Sequence, residues 1–205
     1  MRKSEEEAKE RFDKDISNHE MKIRVDDGVN RHITFKRPGS NCYRFDLVTW
    51  PGYMCYTGDM GTFVFSRVND MFEFFRAGGS RINPGYWAEK LQATNVQGGH
   101  YEYSPDLLKQ AVDHDLENFI EYRNLSAEDE QRLRDEVKDD LTYYFENDLT
   151  RDLDLVVNFE FDDEHVFTDF WDHNFKEHTF HYIWCCHAIV WGINQYDEHK
   201  VKVSA

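Results

Sequence analysis

The chain has 205 residues and carries a formal charge of −16, from 40 Asp and Glu against 24 Lys and Arg. That length accommodates one full core or two small subdomains, and an aromatic content of 16 % excludes an ordinary disordered acidic tail. So negative a chain repels phosphates, which excludes nucleic acid as a direct partner and favours basic protein surfaces.

Residues 1–17 are rich in Glu, Lys and Arg with few apolar positions, so they are expected as an exposed N-terminal helical arm. From Glu20 the pattern changes to alternation. Met21, Ile23 and Val25 lead to Asp27-Gly28, a strong hairpin signal. Ile33 and Phe35 form the return strand, closed by Pro38-Gly39. Tyr43, Phe45, Leu47 and Val48 give a third strand, Tyr53 to Tyr56 a fourth and Thr62 to Val68 a fifth. Short connections at this spacing predict an antiparallel meander.

Helical signals follow. Asp70 is placed to cap a short helix through Phe75, and Asn83-Pro84 starts another with proline at its favoured first position. Ser104-Pro105 repeats that start for a long helix whose buried face is Leu107, Leu108, Ala111, Leu116, Phe119 and Ile120. Ser126 with Asp129 resembles a capping box opening a helix that uses Leu133, Val137, Leu141 and Tyr144. Residues 148–170 hold two short apolar patches in dense acid and are ambiguous in secondary structure. Thr179 to Tyr196 is apolar over most of its circumference, predicting a helix buried between the sheet and the acidic helices. The tail from Asp197 reads as loose.

The expected fold is therefore α+β: an antiparallel meander in the N-terminal half packed on C-terminal helices, one of them buried and aromatic. The expected divisions are the arm, residues 18–100 with the sheet and short helices, and residues 101–205 with the acidic helices and the buried helix. All three are expected to form one compact unit. No apolar run reaches the roughly 18 residues a membrane span needs, and no signal-peptide core is present, so a cytoplasmic protein is expected. Cys42, Cys55, Cys185 and Cys186 lack disulfide-rich spacing and read as reduced, mostly buried thiols.

The strings RHITFKRPGSNCYRFDLVTWPG, GDMGTFVFSRV, DMFEFFR, INPGYWAEKL and HTFHYIWCCHAIVWGINQYD resemble an uncharacterised family of phage and prophage proteins. The likeness skips the acidic helices. It implies a small accessory phage protein acting in the host cytoplasm, of the kind that counters CRISPR or restriction defences, and it brings no catalytic motif with it.

The charge is concentrated: residues 104–175 hold 22 acids and 6 bases, leaving 18 of each elsewhere. Asp113, Glu117 and Glu121 fall at i, i+4 and i+8, stacking on one helix side about 6 Å apart. Glu128, Asp135, Glu136, Asp139, Asp140 and Glu146 extend the acid along the next helix. Rows of carboxylates at this spacing imitate duplex phosphates, so the leading expectation is an acidic decoy. It would occupy the groove of a basic nucleic-acid-binding host protein, a CRISPR effector or a restriction component, with no cofactor and no catalytic residues. A homodimer is compatible with the pattern. The competing reading is a solvated helical face.

Two other chemistries have weaker signals. His178, His181 and Cys185 lie at i, i+3 and i+7 on one helical face and carry ligand types that zinc accepts, although no CxxC accompanies them. Asp46, Asp59 and Asp70 fall near strand ends, where Mg²⁺-dependent enzymes acting on nucleotides converge their acids. Asp59, between glycines, also reads more simply as a turn residue and Asp70 as a helix cap. A phage structural or assembly protein with incidental acidity is the third alternative. The Tyr- and Trp-rich strings from Trp50 to Trp87 fit core packing better than an exposed binding surface.

Overall fold

The computed structural model describes residues 3–96, 98–146 and 148–204. In chain order the elements are α1 (Lys3–Asp15), β1 (Glu20–Asp27), β2 (Asn30–Lys36), β3 (Phe45–Trp50), β4 (Tyr53–Gly58), β5 (Gly61–Ser66), α2 (Met71–Arg76), α3 (Pro84–Ala88), β6 (Leu91–Ala93) and β7 (Tyr101–Tyr103). There follow α4 (Pro105–Arg123), α5 (Ala127–Glu136), a π turn (Val137–Leu141), α6 (Leu149–Val157), β8 (Glu160–Phe161), β9 (Glu164–His165), β10 (Lys176–His178) and α7 (Phe180–Ser204). The protein is α+β, and the chain divides into two compact units: residues 1–101 with 178–205, and residues 102–177. The second unit is thus an insertion in the first, and the region expected as 101–205 is split, with α7 joining the sheet. No helix among the described residues is long and apolar enough to cross a membrane.

The first unit is built on a six-stranded antiparallel sheet in sequential order, β1-β2-β3-β4-β5-β6. Alternation dictates it. Ile33 and Phe35, Phe45 and Leu47, Met54 and Tyr56, and Phe63 and Phe65 all point to one face, and each is essentially fully buried. Gly28 takes φ +59° in the β1–β2 turn, where an L side chain would be strained.

Helix α7 covers that face. It approaches closely because residue 192 is glycine: a Cβ there would stand 2.9 Å from Leu47 Cδ1 and 3.1 Å from the Phe35 ring. Its other side is covered by α1, contrary to the expectation of an exposed arm. Ala8, Phe12 and Ile16 recur every fourth residue and are buried, with Phe12 edge-on to Trp184 at 5.1 Å and stacked on His187 at 5.9 Å. The Trp184 indole N–H donates to Asp15 Oδ2 at 3.2 Å, completing the seam. Met1 and Arg2, the start of the expected arm, lie outside the described residues. The expected loose tail is a continuation of α7, anchored by Arg76 on Asp197 and Lys200 on Asp26; Ala205 lies outside the described residues.

The Arg31–Asp70 pair ties sheet to helix. The Arg31 guanidinium donates to both Asp70 oxygens at 2.8 Å and lies 4.6 Å over the Phe72 ring, while Asp70 caps α2 by accepting from Phe72 N. All four cysteines are free; Cys185 and Cys186 are buried and Cys55 is half-buried, but Cys42 is exposed.

The second unit has its own core of Leu108, Val112, Leu116, Leu133, Val137, Leu141, Leu153, Val156, Phe161, Val166, Phe167, Phe170 and Phe175. Leu133, Val137 and Leu141 are four residues apart, a spacing that drifts by about 40° per step on an α-helix. The wider π turn takes part of that drift back and keeps all three facing inward. Tyr144, expected on the same face, follows in a 3-10 turn and is exposed. Asp152 is fully buried, accepting from the Tyr103 hydroxyl and the Glu146 N–H, each at 2.9 Å. Residues 148–170 resolve into α6, capped by Asp148, and the β8–β9 hairpin.

Candidate functional site

Residues 102–177 contain 24 Asp and Glu against 7 Lys and Arg, a formal −17, leaving 16 acids and 17 bases on the rest of the chain. The molecule therefore joins a nearly neutral unit to a strongly acidic one. Within the acidic unit, the apolar residues of α4 and α5 turn to the core, so the acids between them are left on the solvent side.

All four arginines of this unit are already engaged. Arg134 grips Glu117 with both terminal nitrogens, at 2.5 and 2.8 Å, and holds Glu130 at 2.8 Å. Arg132 forks onto Asp162 at 3.0 and 2.7 Å and reaches Asp129 and Glu136. Arg123 pairs with Glu164, and Arg151 with Glu146. The hydrogen bonds from Arg134 hold the Glu117 carboxyl below the usual range, as those from Arg132 do for Asp162. The nine carboxylates singled out by spacing thus fall into two groups. Glu117, Glu136 and Glu146 are neutralised by neighbours, so the row Asp113–Glu117–Glu121 has a bridged middle member. Asp113, Glu121, Glu128, Asp135, Asp139 and Asp140 are exposed and form no ion pair among the described residues; Asp135 accepts only the Gln131 amide, at 3.0 Å.

Spacing within one helix did not reveal a further feature beside this face. Asp115 and His173, distant in sequence, meet with Nε2 and Oδ2 2.9 Å apart. Asp115 borders a cavity of about 290 Å³ that is also lined by Asn118, Phe119, Tyr122, Val166 and Thr168.

The other candidates are dispersed. His178 Nδ1 stands 3.2 Å from the His100 carbonyl with its ring stacked on Tyr101, while the Cys185 thiol is buried and donates to the Met60 carbonyl at 3.5 Å. His181 is exposed. Burial pushes the Cys185 thiol well above the ordinary thiol range, which disfavours the thiolate a metal would need. Asp46 is buried in the sheet, bonded by Thr34 and Arg44 at 2.5 Å each and 3.2 Å from His32 Nε2. Asp59 sits in a turn, accepting from Tyr43 N, and Asp70 is a cap. Among the described residues no three His, Cys, Asp or Glu side chains are grouped to hold a metal ion. A second cavity, about 440 Å³, lies in the first unit at the β4–β5 turn, where Asp59, Asn95, Thr179 and His181 meet four glycines.

No family model, curated protein or solved structure matches this chain. The five strings quoted above map onto β2 to β5, α2, α3 and α7 of the first unit, and the acidic unit lies outside them.

Proposed function

We propose that this is an inhibitor of phage or prophage origin, acting in the host cytoplasm. Its acidic unit occupies a basic groove of a nucleic-acid-targeting defence protein, a CRISPR effector or a restriction component. The supporting observation is the charge separation: one unit carries −17 while the other is close to neutral, and the acidic unit's arginines are all spent on internal pairs. The six unpaired carboxylates on and after α4 are the side chains offered to the partner. Such an array speeds encounter with a cationic groove and makes association sensitive to salt.

The test replaces Asp113, Glu121, Glu128, Asp139 and Asp140 with Asn or Gln. Exposed charge pairs contribute a few tenths of a kcal/mol each, so affinity for a captured host protein should fall about ten- to a hundredfold. Capture by the unaltered protein should also be lost between about 0.05 M and about 0.5 M salt, as the screening length shrinks. Capture that survives both changes would refute the proposal; a stable self-assembled oligomer with no basic partner would favour the assembly reading.

A further inference from the structure

We propose that the cavity beside α4 is a receptor for an arginine side chain of the partner protein. This rests on the reading of the acidic unit as a docking surface and deepens it by naming the anchor.

The cavity combines the three things a guanidinium needs. The first is charge: the Asp115 carboxylate is only partly exposed and is held in place by His173 at 2.9 Å through Oδ2. Its second oxygen makes no hydrogen bond among the described residues and is available to accept one. The second is aromatic surface: Phe119 and Tyr122 both line the same cavity. The chain's own Arg123 already lies 5.8 Å from the Phe119 ring and 6.0 Å from the Tyr122 ring while its guanidinium pairs with Glu164. These rings thus carry a cation at the outer limit of the distance at which such attraction counts. The third is further acceptors on a shaped wall: the side chains of Asn118 and Thr168 form no hydrogen bond among the described residues, and Val166 supplies apolar surface for the methylene stem.

The shape favours arginine over lysine. A planar guanidinium stacks on a ring and donates from several edges at once, to a carboxylate and an amide oxygen together. An ammonium is a compact, strongly hydrated point charge that uses the carboxylate and little else. Tyr122 is 84 % exposed, an unusual cost for an aromatic ring on a charged face, and a partner side chain would cover it.

The test uses the full chain and two probes of equal charge, a hexa-arginine and a hexa-lysine peptide, with binding followed by calorimetry at low salt. The arginine peptide should bind about tenfold more tightly. Tyr122→Ala removes an exposed ring and Asp115→Asn keeps the side-chain shape, so both should fold, and each should bring the ratio to within about twofold of unity. The five-residue neutralised variant should weaken both peptides and leave their ratio intact. Equal binding of the two peptides, or a ratio unmoved by either cavity variant, would overturn the receptor while leaving the acidic surface standing. Binding of neither peptide would overturn both.

Discussion

Gly192 is the point where the packing of α7 on the sheet is most exposed to test. Replacing it with alanine sets two effects against each other. Alanine is favoured over glycine inside a helix by about 1 kcal/mol. The new methyl would stand 2.9 Å from Leu47 Cδ1 and 3.1 Å from Phe35 Cε2 and Cζ, whereas carbon pairs pack best about 3.5–4.0 Å apart. Phe35 has nowhere to go: its ring is stacked on Phe45 at 4.8 Å and abuts Trp191 at 5.4 Å. Overpacking of this kind costs about 1–3 kcal/mol, so Gly192→Ala should be destabilising by up to about 2 kcal/mol after the helical gain. Urea unfolding gives the value. Leu47→Ala in the same background provides the check, because removing the facing side chain should relieve the clash and produce a favourable coupling of at least about 0.5 kcal/mol. A Gly192→Ala protein that is stabilised by about 1 kcal/mol, with no coupling to residue 47, would show that helix and sheet do not approach as described.

Two further outcomes can be checked on purified protein. Burial beside Phe12, reinforced by Lys9, lowers the His187 pKa to about 4. The neutral ring is therefore the folded form, and its stabilisation is complete above the unfolded value of about 6.5 and is lost as pH falls toward 4. The loss is on the order of 3 kcal/mol; His187→Phe should flatten urea midpoints over that window, and unchanged slopes would contradict the assignment. Asp162 and Asp163 form the β8–β9 turn with φ of +51° and +64°. Asp163→Gly should therefore raise stability by about 0.5–1 kcal/mol, while Asp162→Gly, which also breaks the Arg132 fork, should not; a drop in melting temperature for Asp163→Gly would argue against that turn.

Most of the sheet was legible because alternation and turn chemistry are local. Asp27-Gly28, the Asp70 and Asn83 caps and the run from Phe45 to Val68 each state their role within a few residues. Local reading found α1 as a helix but missed its burial, because the stripe Ala8–Phe12–Ile16 is only three residues deep and is outnumbered by charge. It failed again on the β8–β9 hairpin, whose Asp-Asp turn lacks the glycine that marks such turns. The acidic face was visible as spacing, but its neutralisation was not. Arg134 with Glu117, Arg132 with Asp162 and Arg123 with Glu164 meet only once the chain has folded back. The Asp115–His173 contact spans 58 positions and carries no short-range signature.

The inserted segment leaves and re-enters its host through β7 and β10, which lie side by side in a two-stranded ladder. A graft whose ends are held together makes little demand on the scaffold, because lengthening a closed loop raises its entropic cost only logarithmically, by about 0.6 kcal/mol per doubling. Each segment also keeps a separate apolar interior. A change in the size or sign of the charged module thus leaves the apolar interior of the scaffold untouched.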